Sequence, residues 1–231
     1  MKLIVVFFCS LLVLSSCTST DDKFKTVNPN SEYFYPPIDT IPKVYLYRDI
    51  AHGLEEEFHR IYSISDMAGE HIVVERYASD GRILDAINYN VDSLTVFDQM
   101  VVDRFKKKEK ALIYKNKLFP MDLKKESWYA VKFNGVIDST LILREVKRNF
   151  KKRKTITIMD EFESESLVFD DFVRQTVLNP FTKKEQSFDA KQVSYFAKGY
   201  GLVEWHSLNK KVHFRLERIL TQEEFVKIIA P

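Results

Sequence analysis

Cysteine is nearly absent from this chain. Of its 231 residues only two are cysteine, Cys9 and Cys17, so no disulfide framework and no multi-cysteine zinc site can be built from it. Glycine is scarce as well, six in all, and none are gathered into a Gly-rich phosphate cradle or a G-x-S-x-G nucleophile elbow. No H-E-x-x-H zinc motif occurs. Charge of one sign is not in excess: 35 Lys and Arg face 33 Asp and Glu, and no global field points to nucleic acid or an acidic polymer. A membrane-crossing helix needs roughly 20 consecutive apolar residues, and no run reaches that length. Stability must then come from a hydrophobic core, for which 45% hydrophobic residues with 18 Phe and 11 Tyr are sufficient.

The longest apolar stretch stands at the start. Lys2 is followed by a run from Leu3 to Leu14, which Ser15, Ser16 and Cys17 interrupt before the polar segment Thr18 to Asp22. A charged residue ahead of a short apolar run is the pattern of a secretory signal peptide, expected here over 1–16. Leu14-Ser15-Ser16-Cys17 resembles the bacterial lipobox. That resemblance implies cleavage before Cys17 and lipidation of Cys17, with diacylglycerol and palmitate as the anchor. The alternative is a plain secretory leader, which would leave Cys17 as an unpaired thiol in an oxidising compartment. If Cys17 is acylated, Cys9 departs with the leader and no thiol chemistry remains in the mature chain. Each buried acyl methylene contributes about 0.8 kcal/mol, and two or more chains hold a protein stably at a bilayer.

Residues 17–42 are rich in Ser, Thr, Asp, Asn and Pro, including Pro29, Pro36, Pro37 and Pro42, without a usable hydrophobic period. They read as an acylated N-terminus and flexible tether ahead of a single β-rich domain over 43–231. The aromatic cluster Tyr33, Phe34 and Tyr35 before Pro36 resembles envelope lipoproteins of the Bacteroidota that have no assigned activity. The resemblance implies the outer membrane as destination; Asp21 and Asp22 are similar to the acidic stretch that accompanies surface display, but Lys23 departs from it and leaves the periplasmic or surface face open.

From Lys43 on, apolar and polar residues alternate with turn signals every ten residues or so, which predicts antiparallel strands. A turn at Asn209-Lys210 would pair Val203 with Leu216, Glu204 with Arg215, Trp205 with Phe214 and His206 with His213. Asp80-Gly81 suggests a type I′ turn that sets Ile72 against Tyr89, Val74 against Ile87, Arg76 against Asp85 and Ala78 against Ile83. Further strands are expected near 44–50, 94–104, 111–119, 140–149, 155–159, 166–173 and 192–198. Residues 52–62 fit a strand or a helix, the strand being favoured. Thr221 with Glu224 forms a capping box that starts a short C-terminal helix. The fold class is therefore mainly β: an antiparallel curved sheet or half-barrel closed by that helix. The segment Phe196 to Trp205, with Gly199 and Gly201 around Tyr200, suggests a tight turn or bulge. It is similar in kind to the curved sheets of half-barrel lipid carriers such as the LolA and LolB proteins.

No catalytic set emerges. His52, Glu55, Glu56 and His59 would share a face only on a helix. His206 and His213, as cross-strand neighbours, are weak metal candidates without a third ligand. The basic clusters Arg104 to Lys110 and Arg144 to Lys154 could meet lipopolysaccharide phosphates, anionic lipid or peptidoglycan, or could be solvated hairpin ends; the second reading is favoured. No cofactor and no nucleic-acid partner are expected. The sequence thus points to a lipid-anchored structural or binding component of the cell envelope, more a binder than an enzyme. Envelope proteins are its expected partners, with a carrier of lipid or another apolar ligand and a hydrolase as alternatives.

Overall fold

Alternation of the two side-chain faces from Lys43 onward produces thirteen strands in one antiparallel sheet. The computed structural model describes residues 27–36, 41–53, 55–102, 106–135 and 140–230. The strands are β1 (Lys43–Asp49), β2 (Glu56–Asp66), β3 (Gly69–Ala78), β4 (Ile83–Asn90), β5 (Val96–Val102), β6 (Lys108–Lys110) and β7 (Leu112–Asn116). They continue as β8 (Ser127–Asn134), β9 (Leu141–Ile158), β10 (Phe162–Asn179), β11 (Lys184–Ala197), β12 (Gly201–Ser207) and β13 (His213–Thr221), followed by helix α1 (Gln222–Ile229). The spatial order is β6-β5-β4-β3-β2-β1-β13-β12-β11-β10-β9-β8-β7. The expected mainly β fold, a curved antiparallel sheet with a short C-terminal helix, is the observed one.

The two edge strands, β6 and β7, are consecutive in the chain and separated only by the buried Ala111. The sheet curls until its edges meet along this segment. Ala111 N–H donates to Gln99 O at 2.9 Å, Asn134 Nδ2 donates to Glu109 at 2.5 Å, and the Tyr129 hydroxyl donates to the Gln99 side chain. The segment 108–116 thus continues the ladder of β5 through β6 and Ala111 and that of β8 through β7, while the Tyr129–Gln99 bond joins β5 and β8 directly.

Register places one set of side chains on the concave face all the way round. Tyr45, His59, Arg76, Asp85 and Val101 form one cross-strand row, and Gln192, Asp171, Arg148 and Ser127 form another. The main hydrophobic core fills this inside with Tyr45, Tyr47, Ile61, Phe169, Phe196 and their neighbours. A smaller cluster on the convex side, Val44, Leu46, Phe58 and Leu220, is covered by Phe225 of α1. The Thr221 hydroxyl accepts from Glu224 N–H and Glu224 accepts from Thr221 N–H, which completes the expected capping box.

The segment before β1 is not a free tether throughout. Residues 28–35, inside the range 17–42, turn through a 3-10 helix at Ser31–Tyr33 and lie on the concave face. Tyr33, Phe34 and Tyr35 are at most 5% exposed. Phe34 meets Tyr35, Tyr89 and Phe119 edge-on with centroids 4.9 to 5.2 Å apart. The amides of Asn28 and Asn30 donate to Pro120 O, tying the segment across the sheet.

Several expectations change in detail. Residues 56–66 are strand, so the helical face of His52, Glu55, Glu56 and His59 does not form. The first hairpin keeps its pairs up to Arg76–Asp85, but a bulge then sets Tyr77, not Ala78, opposite Ile83. Gly81 N–H donates to Ala78 O and only Gly81 has positive φ, so the turn is not type I′. The second hairpin keeps the pairs Glu204–Arg215, Trp205–Phe214 and His206–His213, but Lys210 N–H donates to Ser207 O, so the turn centres on Leu208-Asn209 with Lys210 at φ +53° after it. The two short strands expected near 140–149 and 155–159 are one, β9, so the basic run through Lys151 to Lys154 is mid-strand rather than a hairpin end.

Candidate functional site

A partly open cavity of about 200 Å³ lies on the concave face, and its walls are charged. Glu57 and His59 come from β2, Arg76 from β3, Asp85 from β4, Gln99 from β5 and Arg144 and Arg148 from β9. Each points inward because strand residues two apart share a face.

Two guanidinium–carboxylate forks organise the site. Arg76 Nε and Nη2 donate to the Asp85 oxygens at 2.7 and 2.6 Å, and Gln99 Nε2 adds a third bond to Asp85 at 3.2 Å. Arg148 Nε and Nη2 donate to Asp171 at 2.8 and 2.9 Å, and Ser194 Oγ donates to it at 2.8 Å. Glu57 accepts from Arg76 Nη1 at 3.4 Å and lies 2.7 Å from His59 Nε2. Burial pushes the Glu57 carboxyl up, yet Arg76 and the His59 bond outweigh it and bring it down to about 2. Asp85 is likewise held below the ordinary carboxylate range, because Arg76 overcomes the effect of burial. Both acids are thus fixed as anions and cannot donate a proton near neutral pH.

Arg144 differs from its neighbours. It sits between Gln175 and Val131 in register, lines the cavity, and among the described residues has no hydrogen bond or ion pair. Burial and the nearby Arg76 push its guanidinium below its ordinary value, while Asp85, Tyr129 and Glu57 act in the other direction.

A second feature lies on the convex face of β7 to β11, an apolar groove of about 490 Å³ lined by Tyr114, Trp128, Leu141, Leu143 and Leu178. Trp128 is 37% exposed and carries Lys115 and Lys147 over its ring at 4.9 and 5.1 Å. Beside it the β10–β11 hairpin extends past the end of β12, so residues 184–190 pair with β10 alone. Phe181 at its tip is 79% exposed and Phe188 52%.

The residues singled out in sequence are dispersed. Cys17 lies outside the described residues. His206 and His213 are neighbours, 5.1 Å between ring centroids, but His213 Nε2 is 2.9 Å from Glu204 and His206 Nδ1 is 3.0 Å from Ser207 O. Among the described residues no group of three His, Cys, Asp or Glu side chains is placed to hold a metal. His52 lies at a turn against Lys211 O, and His59 points into the cavity instead of toward it. Sequence reasoning noted Arg76 opposite Asp85 but missed the inward pair Arg144 and Arg148, hidden in a run of basic residues. Their spacing of four on a strand was the available signal, since it puts both on one face.

The fold and cavity define a curled antiparallel β sheet with an ionic interior. No protein-family model matches the chain, and no curated protein matches it. Two solved structures are similar in outline. One is a putative lipoprotein from Parabacteroides distasonis, 12% identical, covering 81% of this chain and 98% of that one with a TM-score of 0.48. The other is a putative exported protein with a YmcC-like fold from Bacteroides fragilis, 13% identical, covering 81% and 99% with a TM-score of 0.41.

Proposed function

We propose that this chain is a lipoprotein of the bacterial cell envelope, anchored through acylated Cys17, whose β domain works by docking a protein partner and not by catalysis. The observation that carries the docking is the groove of Tyr114, Trp128, Leu141, Leu143 and Leu178, an apolar concavity on an outer sheet face. Contiguous exposed apolar surface of this kind marks interaction sites. The adjacent unpaired edge of 184–190 offers backbone groups to an added strand. The anchor rests on the leader and on Leu14-Ser15-Ser16-Cys17, and an outer-membrane destination fits the same reading.

The alternatives have less support. A carrier for an acyl chain requires an enclosed apolar cavity of at least about 300 Å³; the interior cavity is about 200 Å³ and ionic. A hydrolase pairs a general acid with a base or nucleophile; Glu57 and Asp85 are held ionised by Arg76 and so do not supply the acid.

The test is crosslinking in intact cells with a photoreactive residue in place of Trp128. A discrete crosslinked envelope protein is expected, lost when Leu143→Glu is added. Recovery of free monomer alone would remove the docking reading. Separately, Cys17→Ala should abolish palmitate labelling and membrane retention, and unchanged labelling would remove the anchor.

A further inference from the structure

We infer that the interior cavity binds a small oxyanion, a carboxylate or a phosphate, through the guanidinium of Arg144. The inference is independent of the membrane anchor and of the outer groove.

The reasoning starts from donors and acceptors. An arginine carries five N–H donors in a fixed fork that matches an oxyanion. Arg76 and Arg148 spend theirs on Asp85 and Asp171. Those carboxylates are saturated in turn, Asp85 by Gln99 and Asp171 by Ser194 and Gln192. Arg144 therefore faces the cavity with no acceptor among the described residues, whereas the other charged wall groups, Arg76, Arg148, Asp85 and Glu57, each make two or more bonds. Arg144 is half-buried, so its free donors stand at a wall that water or an oxyanion can reach. A charge-assisted, bidentate bond to a carboxylate or phosphate is the strongest contact such a free fork can make.

Charge does not oppose the fit. The wall carries Arg76, Arg144 and Arg148 against Glu57 and Asp85, with Asp171 outside the wall as the ion-pair partner of Arg148. The local imbalance is on Arg144, which has a second guanidinium as its neighbour. Asp85 and Glu57 also lie within electrostatic reach of Arg144, but their oxygens bond Arg76, Gln99 and His59, which leaves the Arg144 fork to an incoming anion. At about 200 Å³ the space holds several waters or one small solute, since a water takes about 30 Å³ of the liquid. Gln192, His59 and Trp205 also line it, which gives polar groups for the rest of such a molecule.

The experiment is a thermal-shift and calorimetric titration of the detergent-solubilised full-length protein with acetate, glucuronate and inorganic phosphate, against chloride at equal ionic strength. At least one of the three should raise the unfolding midpoint in a saturable way, and the responding arm tells carboxylate from phosphate. Arg144→Gln should keep the far-ultraviolet dichroism of the parent and weaken that ligand at least tenfold. Arg144→Lys, which retains charge but loses the fork, should weaken it by a smaller factor. The inference is overturned if none of the three anions acts beyond chloride on the parent protein, or if either folded variant binds the responding anion as tightly as the parent.

Discussion

The ring of Tyr35 occupies the place where a side chain on Gly201 would stand. A Cβ at Gly201 would fall 2.5 Å from Tyr35 Cδ1, and Gly201 has φ +80°. Two penalties add for Gly201→Ala: about 1–2 kcal/mol for a left-handed alanine and about 1–3 kcal/mol for overpacking. Gly199, at φ +78° with nothing within 4 Å of an added Cβ, incurs only the first. Urea unfolding of the two alanine variants should show Gly201→Ala as clearly the less stable.

The aromatic plug gives a second prediction. Phe34 is 3% exposed among Tyr35, Tyr89 and Phe119, so Phe34→Ala should cost about 3–5 kcal/mol. In a free tether the same change would be silent, and the urea midpoint decides between them. With residues 28–35 packed, an anchor at Cys17 would be separated from them by about ten residues, roughly 35 Å if fully extended at about 3.3 Å each.

Arg148 and Asp171 form the most enclosed ion pair, with side chains 8% and 0% exposed. Removing one partner leaves a buried charge, so Arg148→Gln or Asp171→Asn alone should cost about 3–5 kcal/mol. The double variant should lose less than the sum of the two, as groups in one network couple. A double-mutant cycle by chemical denaturation measures that difference.

Acid should weaken the protein through Glu57. Its carboxyl is lowered in the folded state to about 2 from an ordinary 4.5. A depressed acid contributes stability that is fully present above the unfolded value and is lost as pH falls through the folded one. The loss should therefore run from about pH 4.5 down to about pH 2, on the order of 3 kcal/mol from this group. Glu57→Gln should flatten the stability profile over that window, which denaturation at stepped pH would record.

How legible the fold was depends on how each strand divides its two faces. The hairpin at Trp205 and Phe214 and the capping box at Thr221 were readable because polar and apolar positions alternate cleanly. Strand β8 was missed: Tyr129 and Val131 face the core while Trp128 and Ala130 line the outer groove, so both faces are apolar. The outer half of the β10–β11 hairpin was missed for the opposite reason, since residues 184–191 are mostly exposed on both faces. The Arg76–Asp85 pairing was legible from register alone. Arg144 and Arg148 were obscured because Lys147 and Lys151 to Lys154 surround them with solvent-facing charge.

The segment 108–116 is shared between the two ends of the sheet: β6 and Ala111 bond β5, and β7 bonds β8. The Tyr129 hydroxyl on the Gln99 side chain joins β5 and β8 directly, and Asn134 of β8 reaches Glu109 of β6. Gln99 and Tyr129 are also cavity walls, so the bond that rivets the two ends of the sheet together is at the same time part of the lining.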